Sequence, residues 1–115
     1  MNIIRHDTGK LMSAAVEHAG TVYVGGQVAD DRTKGVTGQT EQVLTKIDSI
    51  LTKTKTDKSK LLSANVWLAD MKTFDEMNKV WRAWVIPGNT PARATVEARL
   101  ALPDILVEIA VICAK

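Results

Sequence analysis

With 115 residues, 45% of them apolar, and a formal net charge of +2, the chain has room for a single domain over residues 1–115 and a proper core. The near-balanced charge argues against strong commitment to nucleic acid or to an anionic membrane, and no apolar stretch approaches the roughly twenty residues of a membrane helix. The amino terminus, Met1-Asn2-Ile3-Ile4-Arg5-His6-Asp7, lacks the apolar middle of a secretion signal, so the expectation is a soluble cytoplasmic protein.

In chain order, residues 2–6 suggest a short first strand. Ala14–His18 and Thr21–Gly25 are short, rich in strand formers and separated by Gly20, which predicts a hairpin with a tight turn. Gly25-Gly26-Gln27 follows at once. Two glycines at a strand end mark a bulge or turn, and they also let a ligand approach the backbone closely. After the polar loop Asp30–Gly35, Val43, Ile47, Ile50 and Leu51 recur at helical spacing over about 38–54. Thr37 is the expected N-cap, and Glu41 near the start suits the helix dipole. The lysines of Thr52–Lys60 carry no interleaved aromatic residue and read as a solvated helix end rather than an RNA patch.

Leu62, Ala64, Val66 and Leu68 alternate with Ser63, Asn65 and Trp67, predicting a strand over 61–69. Thr73-Phe74-Asp75-Glu76 has the capping-box pattern. The helix it opens carries Phe74, Met77, Trp81, Trp84 and Val85 on one stripe and stops before Pro87-Gly88. Within it, Asn78 reads either as an exposed residue or as a cap for a loop near a pocket.

The last quarter reads as two strands joined by a short turn within Leu100–Asp104. Arg93, Thr95, Glu97 and Arg99 alternate with Ala94, Val96, Ala98 and Leu100. Leu106–Cys113 is an almost unbroken apolar run interrupted by Glu108, and a carboxylate there is costly to bury unless paired, hydrogen-bonded or protonated. A hairpin would bring Arg93 and Glu108 to similar heights on neighbouring strands, which suggests a pocket for a small carboxylate. Two plainer readings stand beside it: Arg93 pairing with a surface acid, and Glu108 at an edge with its head in water. The lone Cys113, set in the apolar run, reads as a small core residue.

The order β-β-β-α-β-α-β-β predicts a two-layer α+β domain with both helices on one face of the sheet. Apolar side chains remain for the second face, which predicts a self-associating oligomer.

Gly25-Gly26-Gln27, Pro91-Ala92-Arg93 with Val96-Glu97, and Val107-Glu108-Ile109, in this order and spacing, resemble the RidA family of YjgF-type reactive-intermediate deaminases over essentially the whole chain. The resemblance implies a chorismate-mutase-like α+β fold with a mixed sheet, and a homotrimer whose sheets face a central barrel, with clefts between subunits. It implies hydrolysis of reactive enamines and imines, such as 2-aminoacrylate and 2-iminopropionate, to 2-keto acids and ammonia, with no metal or organic cofactor. By position, Arg93 resembles the arginine that holds the substrate carboxylate, and Glu108 the acid near the catalytic water. Gly26 matches a glycine whose backbone faces the ligand, and Thr95 stands where many members have a cysteine that contacts substrate through its backbone.

Two positions depart from the pattern. Met12 falls where typical deaminases carry a tyrosine, and Gly25 where a serine is common. These departures leave a second hypothesis open, a non-catalytic trimer that binds a small carboxylate metabolite or a partner in the same clefts. The endoribonuclease label attached to the family finds little support, since His6 and His18 are isolated and there is no basic aromatic surface.

Overall fold

The computed structural model describes residues 1–115. The expected hairpin forms from β2 (Ala15–His18) and β3 (Thr21–Gln27), antiparallel, with β1 (Ile4–His6) paired outside β2. Its turn residues Ala19 and Gly20 have φ of 51° and 79°. That is the left-handed pair a two-residue hairpin turn requires, and glycine supplies half of it without steric cost.

Helix α1 (Val36–Lys53) buries Val43, Leu44, Ile47 and Leu51, the stripe its spacing predicts. Its N-cap is Gly35, with extended backbone and no side-chain hydrogen bond. Thr37 therefore does not cap; it sits inside the first turn, and Glu41 lies beyond that turn. A 3-10 turn at Lys58–Lys60 leads into β4 (Leu61–Leu68), which buries Ala64, Val66 and Leu68. A register shift between Leu61 and Ser63 breaks the alternation there and leaves Leu62 exposed.

Helix α2 (Phe74–Trp84) buries Met77, Trp81 and Trp84. The capping box does not form. A 3-10 turn at Met71–Thr73 precedes the helix, so the Thr73 hydroxyl donates back to the Asp70 carbonyl, while Asp70 caps the turn through the Lys72 N–H. The chain continues through β5 (Ala92–Glu97) to β6 (Val107–Ala114).

The six strands form one sheet in the order β1-β2-β3-β6-β4-β5. The strand–helix–strand passage β4-α2-β5 makes β4 and β5 parallel, whereas β6 pairs antiparallel with β3 on one side and β4 on the other. The expected hairpin between the last two strands is thus absent: β4 lies between β5 and β6, and β5 is an edge strand. The most apolar strand takes a central position, where both of its backbone edges are paired.

Both helices pack on one face of the mixed sheet, over a core that includes Leu44, Ile47, Leu51, Leu68, Met77 and Ile109. Burying each such side chain contributes about 1.5–3 kcal/mol. Gln39 is fully buried and ties α1 to the segment before β6: its amide donates to the Lys34 and Asp104 carbonyls and its carbonyl accepts from the Leu106 N–H. Cys113 is a buried core residue, as expected, with its thiol donating to the Asp57 carbonyl; burial pushes the thiol pKa up. The opposite sheet face carries Tyr23 and Val96, both about half exposed, beside partly buried Trp67 and Ile112. Neither helix covers it. No helix is long and apolar enough to cross a membrane.

Candidate carboxylate site

Strand alternation decides where each candidate side chain points. On β6, Val107, Ile109, Val111 and Cys113 are buried under the helices, so Glu108 emerges on the opposite face, in register with Trp67 of β4. On β5, Arg93 is paired with Ala64, a core residue, and points toward α2. Arg93 and Glu108 of one chain therefore lie on opposite faces of the sheet with β4 between their strands. The facing pair expected from a hairpin does not form within the chain. A crossover through α2, rather than a tight turn, delivers β5.

Around Glu108 the structure assembles the glycine motif. The β3–β6 pairing shifts register between Val24 and Gln27, a bulge that holds Gly25 and Gly26. A Cβ on Gly26 would overlap the Glu108 carboxylate, coming within 3.0 Å of its Cδ. A Cβ on Gly25 would lie 3.3 Å from the Ser13 carbonyl, and the Gly25 N–H donates to the Ala14 carbonyl at 2.9 Å. The loop that carries Met12 thus runs beside Gly25, and the Met12 side chain is 74% exposed. Gly25, Gly26, Glu108 and the Met12 loop form one cluster.

Arg93 forms the other, with Asn78 and two rings of α2. Its Nη1 donates to Asn78 Oδ1 at 2.8 Å, and the guanidinium carbon stands 5.2 Å from the Trp81 ring centre and 5.7 Å from that of Phe74. No carboxylate of the chain pairs with it. Burial alone pulls the Arg93 pKa below its ordinary value, since removal from water disfavours the charged form. Thr95 projects to the same side of β5, and its hydroxyl is buried without a hydrogen-bond partner.

Asn78, for which the sequence allows either an exposed position or a loop cap, is half-buried and accepts a hydrogen bond from Arg93. The signal was present in the spacing. Phe74, Asn78 and Trp81 fall at i, i+4 and i+7, on one helix face, which puts an amide between two rings.

A surface groove of about 720 Å³ lies under the connection between β5 and β6 and includes neither Arg93 nor Glu108. Its charged residues, Glu97 and Arg99, are exposed to water, whereas the Arg93 guanidinium is partly withdrawn from it. No group of His, Cys, Asp or Glu side chains is arranged to hold a metal.

Residues 7–115 match the family model described as endoribonuclease L-PSP. A RutC family protein of Haemophilus ducreyi is 46% identical over 112 residues, covering 97% of this chain and 96% of that protein. The RutC family protein YoaB of Escherichia coli is 40% identical, covering 99% of each. A solved structure from Neisseria meningitidis, a member of the YjgF protein family, superposes with a TM-score of 0.95 at 42% identity, covering 100% of this chain and 96% of that one.

Proposed function

Because the chain belongs to the YjgF/RidA family, the family of the L-PSP model and the RutC relatives, we propose that it hydrolyses small reactive 2-enamine and 2-imine acids of the 2-aminoacrylate and 2-iminopropionate type. The products are a 2-keto acid and ammonia. The observation that carries this reading is Arg93: a partly desolvated guanidinium with no acid partner, backed by a neutral amide and two aromatic faces. Desolvating a cation without neutralising it is costly, and an anionic ligand offsets that cost. Two parallel hydrogen bonds from a guanidinium fix a carboxylate in orientation as well as position.

The opposite-face placement of Arg93 and Glu108 favours a composite site. A homotrimer that turns the uncovered sheet faces inward brings Arg93 of one copy toward Gly26 and Glu108 of the next, in a cleft between subunits. In that cleft water adds to the C=N carbon, and Glu108 takes its proton and returns one to the nitrogen. The new hydroxyl then gives up its proton, which Glu108 passes to the amine nitrogen; the C–N bond breaks, ammonia leaves, and the C=O of the keto acid forms. Holding water and imine in attack geometry supplies a large share of the acceleration. Gly26 lies beside the Glu108 carboxylate with Gly25 next to it in the bulge, and Thr95 contributes through its backbone.

The test generates 2-aminoacrylate in situ and follows keto-acid formation. Arg93→Ala is expected to lower kcat/KM by roughly tenfold or more, the loss of charge-assisted hydrogen bonds. An Arg93→Ala variant as active as the parent overturns the assignment. One observation favours a second reading, binding without turnover: the exposed Met12 side chain has no hydroxyl to offer a ligand. Binding of 2-ketobutyrate or benzoate without faster imine hydrolysis would select it.

A further inference from the structure

We propose that Asn78 is the positioning residue of this site: its side-chain carbonyl sets the plane of the Arg93 guanidinium against Trp81 and Phe74 and, being neutral, leaves the positive charge for the substrate. The inference rests on the reading of Arg93 as carboxylate anchor.

Three features of the contact carry it. First, the 2.8 Å bond from Arg93 Nη1 to Asn78 Oδ1 is the one hydrogen bond the guanidinium makes within the chain. A guanidinium has five N–H donors in a rigid fork, so this bond fixes its orientation while leaving an edge free for two parallel bonds to an anion. Second, Asn78 sits on the helix face that carries Phe74 and Trp81, and Trp81 is only 7% exposed. The amide is thus mounted on a packed element and the ring surface limits rotation of the arginine. Third, the partner is an amide rather than an acid. Aspartate has nearly the same shape and would hold the arginine more strongly. It would also neutralise it, so a substrate carboxylate would have to compete with a built-in one.

That difference separates positioning from packing. If Asn78 merely fills space under α2, Asn78→Asp changes little, because the volume is conserved. If it orients an unneutralised cation, Asn78→Asp weakens binding of 2-ketobutyrate by about tenfold or more and raises KM for the imine acid, with kcat affected less. Asn78→Ala, which frees the guanidinium to rotate, is expected to raise KM to a similar degree, and the Asn78→Ala/Arg93→Ala pair to be no worse than Arg93→Ala alone.

The measurements are calorimetric binding of 2-ketobutyrate and steady-state kinetics on the intact assembly, with thermal melting to establish folding. Should Asn78→Ala fail to fold, Asn78→Asp carries the test. Parental binding and KM in Asn78→Asp, beside a defective Arg93→Ala, overturns the role of Asn78 and leaves the anchor intact. Parental behaviour in Arg93→Ala removes the anchor and this inference with it.

Discussion

The Glu108 carboxylate lies against the Cα of Gly26 so closely that any side chain at position 26 would occupy the same space. Gly26 has no positive φ, so alanine is compatible with its backbone, and the obstructing atoms belong to the movable end of a side chain. Gly26→Ala is therefore expected to change stability by less than about 1 kcal/mol while displacing the carboxylate. Imine hydrolysis should fall by roughly tenfold or more. Melting and keto-acid assays on the same preparation check this, and a fully active Gly26→Ala variant would contradict the role of Glu108.

Thr95 provides the opposite case. Its hydroxyl is buried and unpartnered, so the chain bears a desolvation cost with no compensating bond. Thr95→Val keeps the shape and removes the orphan, and should be neutral or stabilising by about 1 kcal/mol in urea unfolding. Turnover should stay near the parental value, because only the Thr95 backbone serves the proposed chemistry. A large fall in activity would place the hydroxyl itself in the reaction.

Glu17 governs a pH effect far from the site. Buried on the helix-facing side of β2, its carboxylate meets Lys115 Nζ at 2.6 Å and His6 Nε2 at 2.5 Å, and these bonds, Lys115 first, hold its pKa below the ordinary value of 4.5. A depressed carboxylate stabilises the fold above its unfolded pKa and loses that contribution as pH falls through the folded value. Stability should thus decline below about pH 4.5. Glu17→Gln should cost about 1 kcal/mol or more at pH 7, and its difference from the parent should shrink on acidification. Urea midpoints at pH 7 and pH 3.5 decide it; a difference that does not narrow would sink the account.

The uncovered sheet face predicts assembly. Tyr23 lies on it in register with Val16 and Ile112, and Val96 lies on it across β4 from Glu108. Burial of this surface between copies is expected to give a trimer in sedimentation equilibrium. Tyr23→Glu should yield a monomer in sedimentation that is still folded by far-UV circular dichroism, with imine hydrolysis lost if the proposed cleft draws on two chains. A monomeric parent would leave Arg93 and Glu108 with no common space.

Much of the fold was legible because periodicity reports which face of an element is buried. The stripe Val43, Ile47, Leu51 located α1, and the Gly20 turn located the hairpin. Strand order was not legible, because alternation in 92–97 and 107–114 says nothing about which strand each one meets. The short span between them suggested a hairpin, yet β4 had already taken the place beside β5 through the α2 crossover. The capping box failed for a related reason: a 3-10 turn ahead of α2 redirected Thr73, and local chemistry was overruled by its neighbour. The candidate residues were found individually, but their division between two faces depends on pairing that no local pattern carries.

The margin of the sheet has a last consequence. Strand β5 is tethered along one flank only, by β4, whereas β6 is clasped on both. Arg93 on that ribbon is held instead from the helix side, through Asn78, Trp81 and Phe74, while Glu108 rides on the strand clasped on both sides. The two charges are thus anchored by different parts of the fold, so a change in the packing of α2 would disturb the arginine and leave the glutamate in place.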